Sequence, residues 1–68
     1  MAKYYVNNRE QANGDHEVHR EGCYYLPLIV SKTDLGEHYT CESAVRKAIE
    51  IFKQSNGCRT CSNDCHSS

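Results

Sequence analysis

The sequence predicts a small α+β domain folded around a metal ion. Three observations carry that reading. The chain has only 68 residues, too few to bury a large apolar core. One segment, from Cys41 to about Ser55, has helical periodicity, while the segments before it favour short strands. Two ligand pairs, His19-x₃-Cys23 and Cys58-x₂-Cys61, stand on either side of that helix.

Composition explains why a staple is needed. Ordering a chain costs on the order of 1.5 kcal/mol per residue, which apolar burial about cancels in a scaffold this small. Only 38% of the residues are hydrophobic, and five cysteines and five tyrosines are among them, with no Trp and one Phe. The core is therefore thin. An odd count of five cysteines leaves one thiol over in a disulfide framework. It does not trouble a metal site completed by histidine.

The charge excludes some functions. Eight basic against nine acidic side chains give −1, and three thiolates holding a divalent ion would bring this to −2. No positive field draws in nucleic acid or an anionic membrane. The longest apolar run, Tyr24 to Val30, is broken by Pro27 and too short to span a bilayer or form a signal-peptide core. The expectation is a monomer with no membrane association in a reducing cytoplasm.

In chain order, Lys3 to Val6 is rich in β-favouring residues. Asn7-Asn8 and Asn13-Gly14-Asp15 signal turns, and His16 to Arg20 returns as a second short strand, so the first 20 residues form a loose hairpin. Gly22 permits a tight turn into Cys23. Pro27 argues against a central strand, leaving Leu28-Ile29-Val30 as a short edge strand or a packed extended segment. Ser31 to His38 is polar, and Asp34 and Gly36 mark it as a loop. Thr40 is the expected N-cap of the helix, with Glu42 in its first turn. Ala44, Val45, Ala48, Ile49 and Phe52 form one apolar face, and Asn56 or Gly57 suits a left-handed C-cap. The tail, 62–68, is expected to fray. The whole chain, 1–68, is one domain.

The chemistry follows from the ligand spacing. Zinc takes four nitrogen or sulfur donors in a tetrahedron, and a two-residue gap lets one backbone turn aim two sulfurs at one ion. The three-residue gap around Gly22 does the same for an imidazole and a thiolate. His19, Cys23, Cys58 and Cys61 are thus the expected ligands of a structural Zn²⁺, in a non-catalytic module that meets a protein partner. If His16 to Arg20 is a strict strand, His19 reaches the ion only if Val18 serves the core on the other face. Cys65 and His66 are rival donors. His16-Glu17-Val18-His19 is not the metalloprotease pattern, whose histidines lie four apart on a helix. Cys41, at the helix start, is a packed thiol, a reactive thiol or a partner for Cys65. His38 is expected in solvent. No catalytic residue is assigned. The alternatives are thiol chemistry at Cys41, Cys65 or a zinc-bound thiolate, and a disulfide-stapled secreted protein.

The run Val18-His19-x₃-Cys23-x₂-Leu26, a helix, then Asn56-Gly57-Cys58-x₂-Cys61 resembles the metal-binding domain of Ada-type DNA-repair proteins. It is still more similar to small Ada-like zinc modules in which His replaces the first cysteine. The resemblance covers residues 16–61 and implies the zinc fold and these four ligands. His19 stands where the methyl-accepting cysteine would be, and an imidazole does not accept a methyl group as that thiolate does. Nucleic acid enters as a partner through this resemblance alone.

Overall fold

A computed structural model describes residues 1–66 and has the expected α+β class. Among these residues one mixed sheet contains β1 (Ala2–Asn7), β2 (His16–Arg20), β3 (Lys32–His38) and β4 (Ser55–Gly57), in the order β3-β1-β2-β4. Strand β1 runs antiparallel to both β2 and β3, while β4 runs parallel to β2. The one α-helix among the described residues, α1 (Cys41–Ile51), packs against all four strands. It carries the chain from β3 at one edge to β4 at the other.

Strand alternation selects the core. Tyr4 and Val6 lie two apart on β1 and are both buried, with Val18 paired to Val6 on β2. Leu35, Cys41, Ala44 and Ala48 complete the cluster. The helical stripe is thus Cys41, Ala44 and Ala48, and its small side chains let the helix lie close to the sheet. Ile49, expected on this face, is exposed. Thr40 is the N-cap, but its hydroxyl makes no capping hydrogen bond.

Strand β3 corrects the expected loop at 31–38. Between Tyr4 and Tyr5 the register slips: Tyr4 lies opposite Gly36 and Tyr5 opposite Asp34, which leaves Leu35 without a partner on β1. Gly36 has φ of +85°, and its N–H donates to Asp34 Oδ1 at 2.7 Å. The two turn-like residues therefore build a β-bulge inside a strand. The bulge delivers Leu35 to the core, where it is 1% exposed.

The C-terminal third differs from expectation at two places, the end of the helix and the segment after it. The helix stops at Ile51 rather than near Ser55, with Phe52 as an extended C-cap. The Phe52 ring stacks on His16 at a centroid distance of 3.9 Å. Ser55-Asn56-Gly57 is strand β4, and Gly57 does not have positive φ. In the stretch expected to fray, Ser62 is buried and Asn63–Cys65 forms a 3₁₀ turn, while 67–68 lie outside the described residues. Leu28-Ile29-Val30 is not a strand, because Leu26–Leu28 is a 3₁₀ turn with Pro27 near its start. Leu28 and Val30 are exposed.

Candidate metal centre

The site begins with the alternation of β2. Val18 faces the helix and His19 the opposite side, yet both are buried, at 0% and 1% exposure. A buried imidazole needs partners on its own face. On one side of the ring, Glu17 Oε1 lies 3.5 Å from His19 Nε2. The other nitrogen, Nδ1, faces sulfur: Cys23 Sγ at 3.5 Å and Cys61 Sγ at 3.8 Å. Glu17 was missed in the sequence, although its position two residues before a ligand on a strand places it on the same face.

A tight turn brings Cys23 round. The Cys23 N–H donates to Arg20 O at 3.0 Å, and Gly22 within that turn has φ of +85°. This is the left-handed position that glycine adopts without strain. Cys23 Sγ then lies 4.0 Å from Cys58 Sγ, a contact between residues 35 apart in sequence.

Strand β4 places the second pair. It lies parallel to β2 with Val18 opposite Gly57. The ladder extends one residue further, where the Cys58 N–H donates to Val18 O at 2.8 Å. The chain then turns, and Ser62 N–H donates back to Cys58 O at 2.8 Å. This turn swings Cys61 under the end of β2, where the Arg20 N–H points at Cys61 Sγ from 3.3 Å. Such an amide spreads the charge of a thiolate. Gly57 serves by size here. A Cβ at this position would stand 2.7 Å from Ser62 O and 2.8 Å from Cys65 Cβ.

All four expected donors therefore meet, each donor atom within 4.8 Å of the others. Cys23 and Cys58 are buried and Cys61 is half-buried. Burial, with the neighbouring Cys23 and Cys58 thiols, pushes the Cys61 thiol up to about 12. Burial also lowers the pKa of His19, opposed in part by the Glu17 carboxylate. Neutral imidazole is the state a metal requires, and a cation is the counter-charge that three adjacent thiolates require. The cluster can hold a metal ion on both counts.

The rival donors are occupied elsewhere. Cys65 forms a disulfide with Cys41, with Cα atoms 6.1 Å apart. The packed-thiol and reactive-thiol readings of Cys41 give way to this pairing, which also resolves the odd count of cysteines. His66 Nδ1 donates to Gly57 O, and His16 Nδ1 pairs with Asn7 O. His38 is part-buried rather than solvated: Nε2 donates to Leu35 O and Nδ1 pairs with Ser43 Oγ, both at 2.8 Å.

Next to the centre is a cavity of about 580 Å³, lined among others by Tyr4, Arg20, Tyr39, Cys41, Cys61 and Asn63. It lies between the start of β1, the N-terminus of α1 and the turn after Cys58. Among the described residues no helix is long and apolar enough to cross a membrane. No protein-family model, curated protein or solved structure matches this chain. The donor set, rather than kinship, is what identifies the site as a candidate metal centre.

Proposed function

We propose that this chain is a zinc-binding module whose ion is structural. One observation carries the reading: an imidazole and three sulfurs from both ends of the chain converge, with the closest donor contacts at 3.5, 3.8 and 4.0 Å. Tetrahedral donors about 2.0–2.3 Å from zinc stand roughly 3.5–3.8 Å from one another. Three sulfurs and one imidazole are a soft donor set suited to zinc. With four protein donors, no coordination position is left for water or substrate. The Glu17 carboxylate beside His19 Nε2 is the partner that orients a ligating histidine. When bound, the ion supplies a cross-link between β2 and β4, and no reaction. The same donor order is what resembles the Ada-like modules. A closed centre leaves the protein surface, rather than the ion, for a partner to meet.

The test is metal analysis of protein purified without added metal, followed by a thermal melt with and without a strong chelator. One zinc per chain and a melt that collapses on chelation are expected. Stoichiometric iron, or a melt indifferent to the chelator, overturns the reading.

Thiol chemistry at the centre is the second reading, and one observation favours it. Cys61 is the donor that is half-buried rather than buried, and it lines the neighbouring cavity. Selective alkylation of Cys61 in the zinc-loaded protein near neutral pH would support it. Uniform protection of all three free cysteines would remove it.

A further inference from the structure

The disulfide and the metal centre share one short segment. Cys58 and Cys61 are ligand candidates, and Cys65 is bonded to Cys41 at the start of α1. Residues 62–66 connect the two and do little except hold the turn in place. Ser62 N–H donates to Cys58 O, Cys65 N–H to Ser62 O, and His66 Nδ1 to Gly57 O. The backbone of Cys65 lies so close to Gly57 that a Cβ there would stand 2.9 Å from Cys65 C. The bottom of the segment is thus pressed against the residue immediately before Cys58. On its far side it is fixed to the helix by one covalent bond.

The segment brings little apolar surface of its own. Ser62, Asn63 and Asp64 are polar, and Asn63 and Asp64 are exposed. Cys65 is the residue of this stretch that packs against the core. Without the bond to Cys41, what orders it among the described residues is a handful of hydrogen bonds, of which Ser62 N–H to Cys58 O and His66 Nδ1 to Gly57 O tie it to the rest of the fold. Segments held in this way open locally far more readily than the rest of a fold.

Of the two bonded residues Cys65 is part-buried and Cys41 is buried at 8% exposure, so a small reagent meets the bond from the Cys65 side or through local opening. Cys41 lines the cavity beside the centre. That cavity opens beside Arg20 and the N-terminus of α1.

We propose that the Cys41–Cys65 disulfide is a thiol-cleavable latch on the metal centre, so that its reduction speeds loss of the ion. The proposal rests on the metal-binding reading above and adds its regulation. The reductant is a low-molecular-weight thiol. Its thiolate attacks Cys65 Sγ, a mixed disulfide forms there, and the Cys41 thiolate leaves and takes up a proton. A second thiol attacks the mixed disulfide and releases Cys65 as a thiol. Two reductant thiols are oxidised to one disulfide, and the protein disulfide is reduced to two thiols. The four metal donors keep their oxidation state throughout. The freed 62–66 segment then no longer holds the Cys58–Cys61 turn, and the turn opens more often.

The experiment uses the full chain loaded with zinc, its disulfide state verified by intact mass. Transfer of zinc to a chromogenic chelator is timed before and after treatment with a phosphine reductant. The double variant Cys41→Ala/Cys65→Ala is run in parallel. Reduced wild type is expected to lose zinc faster than oxidised wild type, by up to about 300-fold, the scale set by a cross-link over a separation of 24 residues. The double variant is expected to lose it at the fast rate with or without phosphine. Equal rates in oxidised and reduced wild type overturn the latch and leave the metal site standing. Acceleration of the double variant by phosphine assigns the effect to the reagent and overturns the latch too. So does a zinc-loaded protein in which Cys41 and Cys65 stay unpaired after exposure to oxidised glutathione. Failure of both proteins to bind zinc at all would sink the metal-binding reading itself.

Discussion

Val18 and His19 are neighbours on one strand and equally buried, but different forces bury them. On Val18's face, Tyr4, Val6, Leu35, Ala44 and Ala48 exclude water by apolar packing. On His19's face, a polar ring and three sulfurs fill the space. The first face is stable by area and shape. The second brings little apolar area, and burial holds its Cys61 thiol far from ionisation until a cation takes the proton's place. The difference teaches that this sheet is closed on one side by a helix and on the other by a cluster of candidate metal donors. A domain of this size has too little apolar surface to close both faces by packing.

The sharpest way to break the comparison is to remove a donor. Cys58→Ser takes one sulfur from a site whose zinc affinity is expected to supply roughly 10–16 kcal/mol. That exceeds the net stability of a typical domain, about 5–15 kcal/mol. The variant is expected to lose zinc and its cooperative melt together. A melt that survives would mean that the helix face folds the chain alone. Leu35→Ala acts on the other face. It should cost about 2–5 kcal/mol, as other large-to-small core changes do. Its zinc stoichiometry should stay at one, and denaturant unfolding with metal analysis reads both quantities.

Glu17→Gln sharpens the comparison without disrupting either face. Losing the carboxylate that orients a ligating histidine lowers metal affinity by about tenfold to a hundredfold. Chelator competition measures this, and an unchanged affinity would make Glu17 a bystander. The smallest effect is the pH dependence of the metal-free chain. Burial holds the His19 pKa below its unfolded value. Folding therefore favours the neutral ring, and the unfolded chain binds the extra proton. This contribution is fully present above the ordinary histidine range and is lost as the pH falls through it toward the lowered value. The residual circular dichroism of metal-free His19→Gln should fall less on acidification than that of the metal-free parent. A slope unchanged by the substitution would assign the acid sensitivity to another group.

Legibility in the sequence was uneven, and the reason is range. The Cys/His cluster was visible because each pair lies within five residues and the donor types are rare in combination. Helix α1 was visible because its apolar stripe repeats locally. Strand β3 was hidden by Asp34 and Gly36, which carry the same local signature in a bulge as in a loop. Strand β4 was hidden in the same way. Ser55-Asn56-Gly57 has poor strand propensity, and only its pairing with β2 makes it a strand.

From its residues alone, this chain determines its class, its helix and the four donors. These depend on period, charge and spacing between near neighbours. Tertiary structure decided the rest. The pairing of Cys41 with Cys65, the burial of Leu35 through a bulge and the carboxylate beside His19 all depend on which distant segments meet. A linear pattern does not contain that information, because contacts between distant segments are set by how the whole sheet and helix pack.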